Sequence, residues 1–275
     1  MSHPFRASSS AVDLGLVREW VAAAGRIARS HRALATMGFK DDGTPHTTVD
    51  REIESYLVDR ISRHYPHHQI ISEESGIVQV GRADFVWAVD PIDGTRAFVS
   101  GLPVWGVSVG LLRAGRPYAG IFYMPDVDEM YWGDDSGTFC NGSPLSRHDP
   151  PTFESPLTFL AVPSDVHRVY EIDFPRVRSF GSTAAHVVYV ARGAAIGALT
   201  RRIRIWDLAG VLPILTLTGG VLVHLSGTPL EIQNLLDGEP TSEPIVAAHS
   251  GVVDRVRNSI RVRRDGHMDR QYLAE

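Results

Sequence analysis

The chain has 275 residues, 43% of them hydrophobic, enough to bury a sizeable core as one large domain or two lobes. A net charge of −5 provides no basic field for a nucleic-acid polymer, and a single cysteine, Cys140, excludes an intramolecular disulfide and a cysteine-cluster zinc site. No apolar stretch approaches the roughly 18 residues of a membrane span, and residues 1–10 are polar without a signal-peptide core, so a cytoplasmic location is expected.

From residue 13 to 35, Leu16, Val17, Trp20, Ala24, Ile27 and Ala28 recur at helical spacing, with Arg18, Glu19, Arg26 and Arg29 mostly on the other side. A polar loop follows. Thr47 then stands as a helix cap with Asp50 three residues on, close to a capping box, and Val49, Ile53, Leu57 and Ile61 form one apolar stripe that should end before Pro66. Strands are predicted within residues 66–75 and at 85–90, 104–112, 118–124, 129–132 and 138–140, with Ala114-Gly115 and 134–137 as turns. Pro150 and Pro151 mark a seam between an α+β lobe, 1–152, and an α/β lobe, 153–275. The second lobe should hold strands at 157–162 and 176–180, a helix from Gly181 to about Arg192, one buried helix over 206–217 and a strand at 221–225. The arginine-bearing tail, 252–264, reads as a solvated face. This order suggests a layered sandwich of class α+β/α/β.

The apolar run 85–89 ends in Asp90-Pro91-Ile92-Asp93-Gly94-Thr95. Pro91 fixes φ and removes a donor, and a helix starting near Gly94 would point free N–H groups outward, where they favour an anion. Carboxylate oxygens suit hard cations such as Mg²⁺. One short segment can thus hold a metal beside a phosphate, the pairing that metal-assisted ester hydrolysis needs. Asp-Pro and Asp-Gly are also ordinary turn dipeptides. Two further stretches add acids: Ile70-Ile71-Ser72-Glu73-Glu74-Ser75 and Ile205-Trp206-Asp207-Leu208-Ala209-Gly210, although Asp207 at a helix start can equally be a cap. Glu73, Asp90, Asp93 and Asp207 would repel one another if buried together, which divalent cations would explain.

These three stretches, in this order, resemble the signatures of the inositol monophosphatase family of Mg²⁺-dependent, lithium-sensitive phosphatases, over about residues 39–223 and extending to the whole chain. The resemblance implies a five-layer αβαβα sandwich of the inositol monophosphatase and fructose-1,6-bisphosphatase type, a homodimer, a small phosphorylated metabolite as substrate, and roughly two or three Mg²⁺ ions per site. By resemblance, Glu73 and Asp90 with the Ile92 carbonyl hold one metal, and Asp90, Asp93 and Asp207 a second. Gly94 and Thr95 N–H groups bind phosphate. The Thr95 hydroxyl, with Glu73 and Asp90, serves direct attack by a metal-activated water, without a phosphoenzyme. Glu74 stands just outside this set.

In the family an Asp of the N-terminal motif pairs with that Thr. Residues 40–50 resemble the motif, but Thr44 is read at the Asp position, which leaves Asp42 or Thr47 as the water-activating partner and Asp50 as structural. Residues 181–185 resemble the pocket segment, so Ser182, Thr183 and Ala184 are candidates for lining it, with His186 nearby. Thr200 stands where inositol phosphatases often carry a Glu, and Arg201, Arg202 and Arg204 follow. Residues 96–105 resemble the histidinol-phosphate phosphatase branch, whereas Gly181-Ser182-Thr183 departs from it. A sugar or polyol phosphate is therefore the expected substrate. The alternatives are histidinol phosphate, a nucleotide 3′(2′),5′-bisphosphate or fructose 1,6-bisphosphate, and a catalytically weakened binding protein on the same fold, the last motivated by Thr44.

Overall fold

Along the strand Phe85–Asp93, successive side chains enter different cores: Trp87 and Val89 join one, Val86 and Ala88 the other. A strand buried on both faces reads as a continuous apolar run, which is why the period-two signal is missing here. The computed structural model describes residues 12–40, 43–79, 84–146 and 149–263. Asp42 lies outside them.

Phe85–Asp93 sits within an eight-stranded sheet. From one edge the order is Ser143–Pro144, Gly137–Cys140, Glu129–Asp134, Arg116–Met124, Gly106–Arg113, Phe85–Asp93, Gln69–Ser72 and Gly76–Gln79. All pairs are antiparallel except Gln69–Ser72 with Phe85–Asp93, which is parallel. A second sheet has five strands, in the order Val177–Arg178, Phe159–Ala161, Ala195–Thr200, Ile245–His249 and Gly220–His224.

The helices Leu14–His31 and Thr48–His64 cover one face of the larger sheet. In the second of these, Val49, Ile53, Leu57 and Ile61 are buried. At about 1.5–3 kcal/mol for each, that burial outweighs the few tenths by which β-branched residues disfavour a helix. The capping box expected at Thr47 and Asp50 is present. The helices Thr183–Ala191, Ile205–Ala209 and Leu212–Leu217 fill the space between the sheets, and Val253–Asn258 packs on the far side of the smaller one. The five layers alternate αβαβα. No helix among the described residues is long and apolar enough to cross a membrane.

Three differences from the sequence expectation stand out. The single helix expected over 206–217 is two short ones, broken at Gly210-Val211, with Pro213 opening the second. Two strands of the smaller sheet, Ala195–Thr200 and Ile245–His249, were not anticipated. The arginine-bearing tail holds an unanticipated helix, Val253–Asn258, anchored by buried Val256, while Arg255, Arg261 and Arg263 are exposed as expected of a solvated face and Arg264 lies outside the described residues.

Candidate active site

Strand register assembles the first two acids. Ser72 pairs with Val89 in parallel, and the Glu73 N–H donates to the Val89 carbonyl at 3.1 Å, so Glu73 emerges beside Asp90. On the other side Asp90 pairs with Ser108 and Asp93 with Gly106. Three steps on one strand face two on the other, a bulge that re-aims the chain at Pro91-Ile92. Gly94 then adopts φ +91° and caps the helix Thr95–Val99, a left-handed turn that an L side chain would resist.

Asp93 ties this turn to the start of the helix Thr183–Ala191. The Ser182 hydroxyl donates to its Oδ2, the Ala184 N–H to Oδ2 at 3.0 Å and the Thr183 N–H to Oδ1 at 3.1 Å. The carboxylate thus sits on the free N–H groups opening the helix Thr183–Ala191, where the helix dipole favours an anion. Asp207 arrives from the second motif. Its Oδ2 accepts the Arg204 N–H at 2.7 Å, the cap that the sequence allowed, and it also faces the cavity. Its short helix lies against the sheet backbone: a Cβ on Gly110 would stand 2.3 Å from that of Ala209, and one on Gly120 2.4 Å from the Gly210 carbonyl oxygen. The small Ala-Gly end of the motif makes that approach possible.

Of the two partners expected for Thr95, Asp42 lies outside the described residues, and Thr47 is not the partner. The Thr95 hydroxyl donates to Asp50 Oδ1 at 3.1 Å, with the Ile92 carbonyl 3.3 Å away. Thr47 is fully buried, and its hydroxyl donates to Asp50 Oδ2 instead of reaching Thr95. Asp50 therefore does not serve only as a helix-start residue, and Thr44, although it lines the cavity, is not where the pairing acid is missing.

These groups open on a cavity of about 370 Å³. Glu73, Asp90, Ile92, Asp93, Gly94, Thr95 and Asp207 line it, and Ser182, Thr183, His186, Thr200 and Arg201 form part of its wall. Ala184 is fully buried and offers its N–H to Asp93, so it is not a wall residue as expected. Arg201 is ion-paired with Asp165 at the wall, and an Arg204 guanidinium N–H donates to the Gly238 carbonyl at 2.5 Å. Two neighbours were given no role in the sequence reading. Lys40 Nζ lies 2.8 Å from Glu73 Oε1 and 2.6 Å from Glu74 Oε1. Glu54 accepts the Glu74 N–H at 2.8 Å. Its position one turn after Asp50, beside the apolar stripe, was the available signal.

The electrostatics follow from crowding acids away from water. Burial, reinforced by Glu73, Asp93 and Asp207, raises Asp90 well above the carboxylate range. Burial pushes Asp207 up to about 8, against the Arg204 N–H and with Glu73 and Asp93 adding to it. Glu73 is pushed up to about 7 by burial although Lys40 pulls the other way, and Asp93 to about 6 despite its hydrogen bonds from Ser182, Ala184 and Thr183. Burial works to lower the Lys40 pKa, but Glu73 and Glu74 win and hold it above the ordinary lysine range.

Among the described residues no three such side chains converge tightly enough to make a ready-formed ion site, so the acids surround the cavity. Their chemistry nonetheless fits a hard divalent cation. The donors are all oxygens, and Asp90 Oδ1 is buried without a hydrogen-bond partner. A cation there would satisfy that atom and offset the mutual repulsion.

A sequence profile of the inositol monophosphatase family matches residues 13–261. Inositol monophosphatase 1 from Mus musculus is 34% identical over 220 residues, covering 74% of this chain and 76% of the mouse protein. A histidinol-phosphatase from Chlorobaculum parvum is 32% identical over 239 residues, covering 82% and 90%. The solved inositol monophosphatase of Thermotoga maritima superposes with a TM-score of 0.76 at 25% identity, over 90% of this chain and 95% of that one. A profile match across nearly the whole chain, relatives above 30% identity that are phosphatases, and a shared architecture establish a phosphoric monoester hydrolase that belongs to the metal-dependent inositol monophosphatase family.

Proposed function

We propose that the protein is a Mg²⁺-dependent phosphatase of a small sugar or polyol phosphate, acting by direct attack of water. The observation that carries this reading is the meeting of Glu73, Asp90, Asp93 and Asp207 with the Thr95–Asp50 pair at one cavity. Glu73, Asp90, the Ile92 carbonyl, Asp93 and Asp207 would hold Mg²⁺. When bound, the cation lowers the pKa of water and offsets the charge of the phosphate. The N–H groups of Gly94 and Thr95 would donate to the phosphate oxygens, and the left-handed turn at Gly94 aims them. Thr95 would orient the attacking water and pass its proton towards Asp50, whose carboxylate stays in hydrogen-bond contact with the Thr95 hydroxyl. Asp93 would hold the helix Thr183–Ala191, and with it the substrate wall, against the phosphate turn.

Mg²⁺ as the ion, a homodimer and lithium sensitivity are carried by resemblance to the family. The Asp50 carboxylate at the Thr95 hydroxyl supports an active enzyme over a weakened binding protein. A second reading keeps one specific support. Arg96 and Arg202 line the cavity with Arg201 and Arg204, which favours a substrate with a second anionic group, such as a bisphosphate. Phosphate release from inositol 1-phosphate, histidinol phosphate, fructose 1,6-bisphosphate and 3′-phosphoadenosine 5′-phosphate, with and without Mg²⁺, tests both. A strongly preferred monophosphate supports the first reading and a preferred bisphosphate the second. Silence across the panel with Mg²⁺ binding intact would overturn the class of substrate.

A further inference from the structure

The helix Thr48–His64 presents Asp50 and Glu54 one turn apart, and both are buried. Asp50 meets Thr95. Glu54, only 5% exposed, takes hold of a different limb of the site. Its Oε2 accepts the Glu74 N–H at 2.8 Å, and the Ser75 hydroxyl donates to its Oε1. These donors belong to the turn that begins with Glu73. The sheet fastens the turn at the Glu73 N–H, and Glu54 fastens it from the helix side. Burying a carboxylate is costly unless it is hydrogen-bonded, and an apolar residue would fill this position of the helix at less cost if packing were its only task. Glu54 faces neither the cavity nor Thr95, so the chemistry above does not use it.

We propose that Glu54 is a positioning residue: its buried carboxylate clamps the turn 73–75 to the helix that carries Asp50, and so sets Glu73 at a fixed distance from the Thr95–Asp50 pair. The inference rests on the reading of Glu73 as a Mg²⁺ ligand. One rigid helix then registers two limbs that reach the cavity from separate strands. Lys40 pairs with Glu73 and Glu74 from outside that frame, so a released turn would leave Glu73 free to follow Lys40.

The test uses Glu54→Ala, Glu54→Gln and Ser75→Ala in the full chain. It measures Mg²⁺ binding by calorimetry and hydrogen exchange of the Glu74 amide in metal-free protein. Glu54→Ala should weaken Mg²⁺ binding by about tenfold, as loss of a partner behind a metal ligand does, and speed exchange at Glu74. Glu54→Gln keeps a carbonyl acceptor for the Glu74 N–H and should recover most of the affinity. Ser75→Ala removes half of the clamp at an exposed position, so it reports even if Glu54→Ala does not fold, and it should weaken binding by about threefold. Wild-type affinity in both alanine variants, or equal weakening in Glu54→Gln and Glu54→Ala, would overturn the proposal while leaving the Mg²⁺ reading intact. A wild-type protein that binds no Mg²⁺ would overturn the reading of Glu73 and this proposal together.

Discussion

The Thr95 hydroxyl donates to Asp50 Oδ1 at 3.1 Å across 45 positions of sequence, and the Thr47 hydroxyl donates to the other oxygen of the same carboxylate. Asp50 is thus held by its own helix cap while it faces the phosphate turn. Burial raises its pKa, with Glu74 adding to the rise and the hydrogen bonds from Thr47 and Thr95 opposing it, and the raised pKa makes this carboxylate a stronger proton acceptor than an exposed one.

Asp50→Asn keeps the shape and removes the proton acceptor. We expect kcat to fall by about 10²–10⁴-fold, the usual worth of a positioned base, with KM little changed. Thr44→Ala should leave kcat within about threefold of wild type, because Thr44 does not hold the Thr95 pair. Steady-state kinetics at saturating Mg²⁺ checks both. The reverse ranking would return the pairing role to the 42–44 segment.

Asp90→Asn should abolish turnover by orders of magnitude through the metal rather than through the fold. Asp90 Oδ1 has no hydrogen-bond partner and its neighbours are Glu73, Asp93 and Asp207, so loss of its charge relieves repulsion in the metal-free protein. Thermal unfolding should therefore show equal or higher stability without metal. In wild type, Mg²⁺ at a hundred times its Kd should add about 2.7 kcal/mol, and in Asp90→Asn that gain should largely vanish. A full Mg²⁺-induced shift in the variant would remove Asp90 from the metal site.

Gly110→Val probes the support of Asp207. The Cβ alone would lie 2.2–2.3 Å from Ala209 atoms, so either the sheet or the Ile205–Ala209 helix must move. Overpacking of this kind costs about 1–3 kcal/mol. Because Asp207 rides on that helix, Mg²⁺ affinity should drop as well, beyond what an equally destabilising change in the Val253–Asn258 layer produces. Calorimetry on the two variants, matched for thermal stability, separates the effects.

How legible this site was depended on how local each relation is. The Asp90–Thr95 segment carries its acids, bulge-forming Pro91 and left-handed Gly94 within a few residues, so residue order alone exposes it. Asp50 showed only one of its two faces: a cap acid three residues after Thr47 explains one oxygen and hides the other, which points across the fold. Glu54 was hidden because both of its oxygens bond across the fold, to Glu74 and Ser75. Ala195–Thr200 went unread because small residues, Ala195, Gly197 and Ala198, interrupt its apolar run, and Gly197 is small where Val256 packs against the strand. The break in the helix expected over 206–217 comes from tertiary packing, since a Cβ on Gly210 would lie 2.2 Å from Ser108 Oγ and no apolar periodicity records that contact.

His186 should give the fold a measurable acid sensitivity. Its ring is buried, Nε2 accepts the Phe180 N–H at 3.1 Å, and burial pushes its pKa down to about 4 from 6.5. Between those values the unfolded chain binds a proton that the folded one does not, so this contribution to stability is complete above pH 6.5 and is lost as pH falls towards 4. At pH 5 the loss is about 2 kcal/mol. The buried acids act in the opposite sense, because their raised pKa values make the folded state bind protons first. Comparison with His186→Gln, which keeps a neutral acceptor at this position, isolates the histidine. Chemical unfolding at pH 7 and pH 5 should show wild type losing about 2 kcal/mol more than the variant. Parallel losses would mean that His186 is protonated in the fold and that the Phe180 N–H is held by another acceptor.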